Sequence, residues 1–422
     1  MKETVMKKAL IGISLAAASM MSSGLASAQD TLKVAFIDPL SGPFADVGEL
    51  MLSHIRFAIE DINAKGGVLN GVKLDLMTLD NKLSAQESLT ALQAAIDAGA
   101  RVVFTGGSGS SAVSAMVEAA NKHNDRNPDK AILIVNHSSI DPDLTGKHCS
   151  FWHFTTEANT AMKMKALTSF MTEKQDIKKV YLLNQDYAHG RVWAKLGKEM
   201  LSGARPDVQF VGEDFHPIGK VKDFSPYVSK IKASGADMVI TGNWGGDLTL
   251  FIKAAADAGM NLRFINHSAG ALPGAVFAVS QAKLGQLTWV GEWHQNVESP
   301  KVAPVAAAYK QRFNKPFLAP RMDLTPRMVA AAINKANSTS PVKIALALED
   351  MTYPSIVGDV TMRKEDHQLL LPQTVSTVAP VDGKTVKFGV EGTNYGFRTD
   401  TVVEGKNLAL PTECKMRRPA GA

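Results

Sequence analysis

The sequence predicts an α/β fold built as two doubly wound, parallel-sheet lobes. Strand-like and helix-like patterns alternate along nearly the whole chain, and the rhythm restarts near residue 150. The chain is also too long for one ordinary core, so two domains are expected.

The first 28 residues read as a secretory leader. Lys2, Lys7 and Lys8 precede a short apolar run (9–21), and Ala26 and Ala28 bracket Ser27 as an A-x-A cleavage site. That run is short of the roughly 20 apolar residues a spanning helix needs. Cleavage after Ala28 leaves 394 of the 422 residues. No Cys sits at the cleavage site, so no lipid anchor is expected there.

In the first half, 32–40 reads as an apolar strand and 48–67 as a helix with a Gly stop. Residues 72–80 alternate as a strand. Residues 84–99 open on Ser84 and Glu87, a capping-box pattern. Strands at 101–107 and 131–139 flank a helix at 110–124, and 149–154 is a short extended piece. The second run has a helix at 159–174, then strands at 179–187, 208–215, 237–244 and 263–268, with helices near 190–202, 224–234 and 247–258. A strand at 287–293 precedes helices at 299–314, 324–338 and 341–351. From Val357 the tail is β-like and rich in turns. The expected division is 29–150 plus 290–355 in the first lobe, and 151–289 plus 356–422, with the C-terminal tail, in the second.

Composition is that of a globular protein, 45% hydrophobic and 21% charged. The formal charge of +5 is scattered, so no basic face for nucleic acid is expected. The sequence lacks a G-x-S-x-G elbow, a phosphate-binding P-loop and a G-x-G-x-x-G first turn. The spacing of His148, Cys149 and His153 fits no zinc signature. Neither an enzyme, a cofactor nor a metal is expected. Cys149 and Cys414 are the only cysteines; a disulfide between them and two separate thiols both remain open.

Ligands of open α/β sheets bind beyond the carboxyl ends of the strands. Those places read GGSGSS (106–111), NHSSIDPD (136–143), NQDYAHG (184–190), GNWGGD (242–247) and NHSAG (266–270). The first is a glycine turn opening a helix, where exposed N–H groups and the helix dipole attract an anion such as a carboxylate. Gly109, Ser110 and Ser111 are therefore candidates, with Ser138, Ser139 and Ser268 at neighbouring strand ends. A plain helix cap by Ser108 or Ser110 is the competing reading. Tyr187 and Trp244 are candidates to cover an apolar ligand body, with Phe44 in the first loop behind them.

Several segments, in order, resemble type I periplasmic binding proteins of branched-chain amino-acid importers: SGPFADVGE (41–49), AIEDINAKGG (58–67), TGGSGSSAVSA (105–115), DPDLTG (141–146), NQDYAHGR (184–191) and FSPYVSKIKASGADMVI (224–240). The resemblance implies two lobes joined by a three-crossing hinge, closure on a ligand, and delivery to an ABC permease with cytoplasmic ATPases by a monomer. A ligand-sensing subunit of a receptor on the same fold is the alternative. It also implies that the ligand carboxylate meets Gly109, Ser110, Ser138 and Ser139. Tyr187 matches a family tyrosine, and a family aromatic falls near Asn243 and Trp244. Two positions depart from the pattern. Val47 stands for a first-loop aromatic, and the 266–270 loop lacks the acid that would pair with a ligand amine. Either Asp247 substitutes, or the ligand is an acid without an amine, such as an aromatic carboxylate.

Overall fold

The computed structural model describes residues 31–282 and 286–421. The leader and its cleavage after Ala28 lie outside the described residues.

The first lobe is a five-stranded parallel sheet. Strands β1 (Thr31–Asp38), β2 (Lys73–Asp80), β3 (Val102–Thr105), β4 (Leu133–Asn136) and β5 (His153–Thr155) stand in the order β2-β1-β3-β4-β5. Helices α1 (Ala45–Ala64), α2 (Ala85–Asp97) and α3 (Ser110–Arg126) make its crossovers. Every residue of β3 and β4 is buried, as strands covered on both faces require. The Ser84 side chain caps α2 by accepting from the Glu87 N–H. The first sheet extends past residue 150, because the extended piece beginning there becomes β5 and pairs with β4.

The second lobe begins at α4 (Thr160–Met171). It continues through β6 (Lys179–Gln185), α5 (Ala188–Ala204), β7 (Gln209–His216) and α6 (Ser225–Ser234). Then come β8 (Met238–Ile240), α7 (Gly246–Asp257), β9 (Arg263–Asn266), α8 (Ala275–Ala282) and β10 (Leu287–Gly291). The chain returns to the first lobe with α9 (Val302–Phe313), α10 (Pro320–Ala336) and α11 (Pro341–Leu348), where α9 and α10 pack on α1. Strands β11 (Thr352–Ser355), β12 (Gly358–Met362) and β13 (Leu369–Leu370) form a small antiparallel sheet. The hairpin of β14 (Gln373–Pro380) and β15 (Tyr395–Val403) joins the second sheet antiparallel to β10, giving β15-β14-β10-β9-β8-β6-β7. The chain thus passes between the lobes three times: after β5, after β10 and before β14.

Helix α10 starts at Pro320, not at residue 324 where the sequence pattern placed it. Proline is suited to a first helical position, since its missing N–H is one no helix would use. The earlier start puts Arg321 in the first turn of α10, beside two of the crossings.

Cys149 and Cys414 form a disulfide with their Cα atoms 5.6 Å apart, pinning the tail beneath β5. It closes a loop of 265 residues. Cys414→Ser is expected to cost about 2–4 kcal/mol, read as a lower urea midpoint, mainly by freeing the unfolded chain. An unchanged midpoint would show that the crosslink does not hold the fold. Among the described residues no helix is long and apolar enough to cross a membrane.

Candidate functional site

The end of β1 shapes the glycine turn. Asp38 is fully buried, and its Oδ1 accepts from the Gly106 N–H at 3.0 Å and from Ser108 Oγ at 3.2 Å. Its Oδ2 lies 3.0 Å from His137 Nε2. Gly106 and Gly109 have φ of +153° and +82°. A Cβ on Gly106 would fall 2.5 Å from the Ser138 nitrogen, and one on Gly109 3.1 Å from the Tyr187 ring. Glycine at both places lets the turn lie against the β4 loop and against the second lobe.

Gly109 is the N-cap of α3 and supplies no side-chain cap. Ser108 is turned to Asp38, and Ser110 Oγ accepts from the Asp141 N–H at 3.3 Å. Neither serine caps the helix, so the plain-cap reading fails. Among the described residues, the N–H groups of Ser110 and Ser111 meet no acceptor. These are the orphan donors to which the helix dipole draws an anion. The Asn136 side chain folds the next strand end toward them. Its Oδ1 accepts from the N–H groups of Ser138 (3.1 Å) and Ser139 (2.7 Å).

The second lobe covers this end. Trp244 Nε1 donates to the Tyr187 hydroxyl at 2.9 Å. Burial pushes the Tyr187 hydroxyl above its ordinary pKa, so it stays neutral. Behind them Phe44 crosses from the first lobe, its ring centroid 4.4 Å from Trp244. Glycines 219 and 245 make room for it, since a Cβ on either would come within 2.9 Å of the Phe44 ring. The lobes are closed on each other at this edge.

Between the lobes lies a cavity with about 490 Å³ of empty space, counting the part open to solvent. Met51, Ile140, Trp244 and Leu272 supply apolar wall, while Ser110, Ser138 and Ser268 supply polar groups. At the crossings the wall includes two buried charges, Glu157 and Arg321. Arg321 pairs with Glu157 through Nε and with Glu292 through Nη1 at 2.8 Å. Lys163 pairs with the other oxygen of Glu157 at 2.7 Å. The four charges balance. Burial works to raise the Glu292 carboxyl, but Arg321 and Lys163 outweigh it and hold it below the ordinary range.

Of the residues singled out in the sequence, Gly109, Ser110, Ser138, Ser139, Tyr187, Trp244 and Ser268 line this one cavity. Ser111, Asn243, Asp247 and Phe44 do not. The Ser111 side chain is exposed. Asn243 Oδ1 bonds His216 Nε2 at 3.0 Å, and its carbonyl accepts from Asn266 Nδ2 at 2.7 Å. Asp247 Oδ2 accepts from Gln185 Nε2 at 2.7 Å and from the Gly219 N–H at 2.9 Å, so it braces loops instead of facing a ligand amine. Sequence reasoning missed Glu157, Arg321, His189 and His267 as wall residues. The histidines sit within segments already picked out, one or two residues from Tyr187 and Ser268. The lone Arg321 of a proline-flanked helix start was the only signal for the charge cluster.

Residues 31–384 match the periplasmic binding protein family. The chain is 31% identical to the Leu/Ile/Val-binding protein homolog 4 of Brucella melitensis, over 97% of this chain and 98% of that one. The solved leucine-, isoleucine-, valine-, threonine- and alanine-binding protein of Brucella ovis, in a closed conformation, superposes with a TM-score of 0.81. It is 28% identical and aligns over 92% of this chain and 100% of its own. An ABC-transporter solute-binding protein of R. palustris in complex with benzoate has a TM-score of 0.76 at 16% identity, over 91% and 99% of the two chains. At that identity the likeness is one of fold alone.

Proposed function

The chain belongs to the periplasmic binding protein family, and from that membership we propose that it captures a small carboxylate-bearing solute between its lobes for an ABC importer. The observation that carries this reading is the uncapped start of α3 opening into an interlobe cavity. There the orphan Ser110 N–H, the Ser110 hydroxyl and the Ser138 hydroxyl are donors available to one acid group. Tyr187 and Trp244 cover the apolar remainder.

The family is periplasmic, and one solved structure of the same fold is an ABC-transporter solute-binding protein. On this reading the leader is cleaved after Ala28, and a mature monomer delivers its ligand, unaltered, to a membrane permease with cytoplasmic ATPases. The ligand is an acid without a charged amine. The 266–270 loop offers His267 and Ser268 but no acid, and the charge of Glu157 is already met by Lys163 and Arg321. An unpaired ammonium buried there would be costly.

A thermal-shift panel of amino acids, aromatic acids and small dicarboxylates tests this, because a specific ligand stabilises by mass action. Aromatic acids are expected to raise the melting temperature more than leucine does. A clear preference for leucine would defeat the amine-free reading, and stabilisation by primary amides but by no acid would defeat the carboxylate reading itself. Ser110→Ala is expected to weaken the best acid by about 1 kcal/mol, roughly fivefold, through one lost hydroxyl donor. Unchanged affinity on titration would remove Ser110 from the site.

A further inference from the structure

The wall opposite the α3 start carries two histidines whose protons can be placed. His189 Nδ1 lies 3.0 Å from Thr160 Oγ1, and that hydroxyl already donates its proton to the Ile140 carbonyl at 2.7 Å. The shared proton between Thr160 and His189 therefore comes from the ring, and Nδ1 of His189 is the donor. A neutral His189 then has a bare Nε2. That atom lies 3.0 Å from His267 Nε2, which is in turn 3.1 Å from the Gly242 carbonyl. Without a proton on His267 Nε2, three lone pairs would converge. His267 Nε2 thus carries the proton, and a neutral His267 has its open acceptor at Nδ1.

Both rings are neutral. Burial, helped by Lys163, pushes His189 down to about 3. Burial, then His189, Lys163 and Arg321, hold His267 well below its ordinary value. Among the described residues no hydrogen bond uses Nδ1 of His267, although the ring lines the cavity. The nearby Lys163 and Arg321 oppose a second cation on this wall.

We infer that His267 reads a hydroxyl on the ligand: the solute is a hydroxy-carboxylate whose O–H donates to Nδ1 of His267 while its carboxylate meets the start of α3. This rests on the carboxylate reading above and narrows it. The wall therefore presents a neutral acceptor, which suits a neutral donor and not a charged amine. A site built to bond a hydroxyl discriminates against the analogue lacking it, because the acceptor is then left buried and unmatched.

Calorimetric titration of the mature chain with matched series tests it. One series is 4-methylpentanoate, its 2-hydroxy derivative and L-leucine; the other is benzoate and 4-hydroxybenzoate. The two separate an aliphatic from an aromatic hydroxy acid. In at least one, the hydroxy member is expected to bind about threefold to tenfold tighter than the plain acid, and in the aliphatic series tighter than leucine. His267→Phe is expected to bring the hydroxy-to-plain ratio near one. If plain acids bind as well as hydroxy acids, or leucine binds best, the inference falls, whether or not the variant folds. Should plain acids bind without hydroxyl preference, the carboxylate reading stands alone; should no acid bind in either series, both fall together.

Discussion

Arg321→Met is expected to cost about 3–5 kcal/mol of folding stability, because it strands buried carboxylates. The guanidinium, Glu157, Glu292 and Lys163 side chains are each at most 5% exposed. With the arginine present the four charges cancel. Without it Glu157 keeps its direct pair with Lys163, but Glu292 loses its direct ion pair and keeps only the longer-range attraction of Lys163. Among the described residues Glu292 Oε2 already lacks a hydrogen bond, so little in place absorbs the loss. Arg321 Nε also donates to the His137 carbonyl at 3.0 Å, next to Ser138. The variant should therefore loosen the end of the cavity proposed to take the carboxylate, and weaken acid binding as well. Urea unfolding of the single and double variants measures the effect. Arg321→Met with Glu292→Gln should recover much of the loss, since a buried charge pair removed together is often nearly neutral. A single-variant cost below about 1 kcal/mol, or a double variant worse than the single, would show that the charges are not coupled in this way.

That cluster also marks where sequence reading ran out. The glycine-turn end of the cavity was legible because its residues sit at strand ends and their pattern is local. GGSGSS needs only β3 before it and α3 after it, and both announce themselves by hydrophobic period. The charge cluster is not local. Arg321 is separated by 164 residues from Glu157 and 29 from Glu292, and no periodicity brings them together. Their meeting depends on the chain crossing between lobes after β5 and β10, and on α10 starting at Pro320. Polar strand tips misled in the opposite direction. Asn243 and Asp247 occupy the expected places, but His216, Gln185 and the Gly219 N–H turn them into braces. A polar residue beyond a strand is equally suited to ligand and to loop, and only its partners decide which it serves.

Mild acid is expected to destabilise the protein steeply between about pH 6.5 and 5.5. His54, His153, His189 and His294 are buried, and burial lowers His54 to about 4 and the other three to about 3. His367 lowers His153 further, as Lys163 does His189. In the unfolded chain each ring returns to about 6.5. The folded values lie below the unfolded ones, so in this window the unfolded state binds more protons. Stability therefore falls as pH falls, by roughly 1 kcal/mol per ring at pH 5.5, or about 4 kcal/mol for four. Carboxyls raised by burial, such as Asp141 and Asp366, act in the opposite sense. Urea midpoints from pH 7.5 to 5.5 check the slope, and stability flat across that range would refute it. His294→Gln should reduce the proton uptake of unfolding by about one. Its ring bonds Ser376 and Thr399 on the β14–β15 hairpin, away from the cavity. The variant thus changes the acid response of the fold without touching the cavity wall.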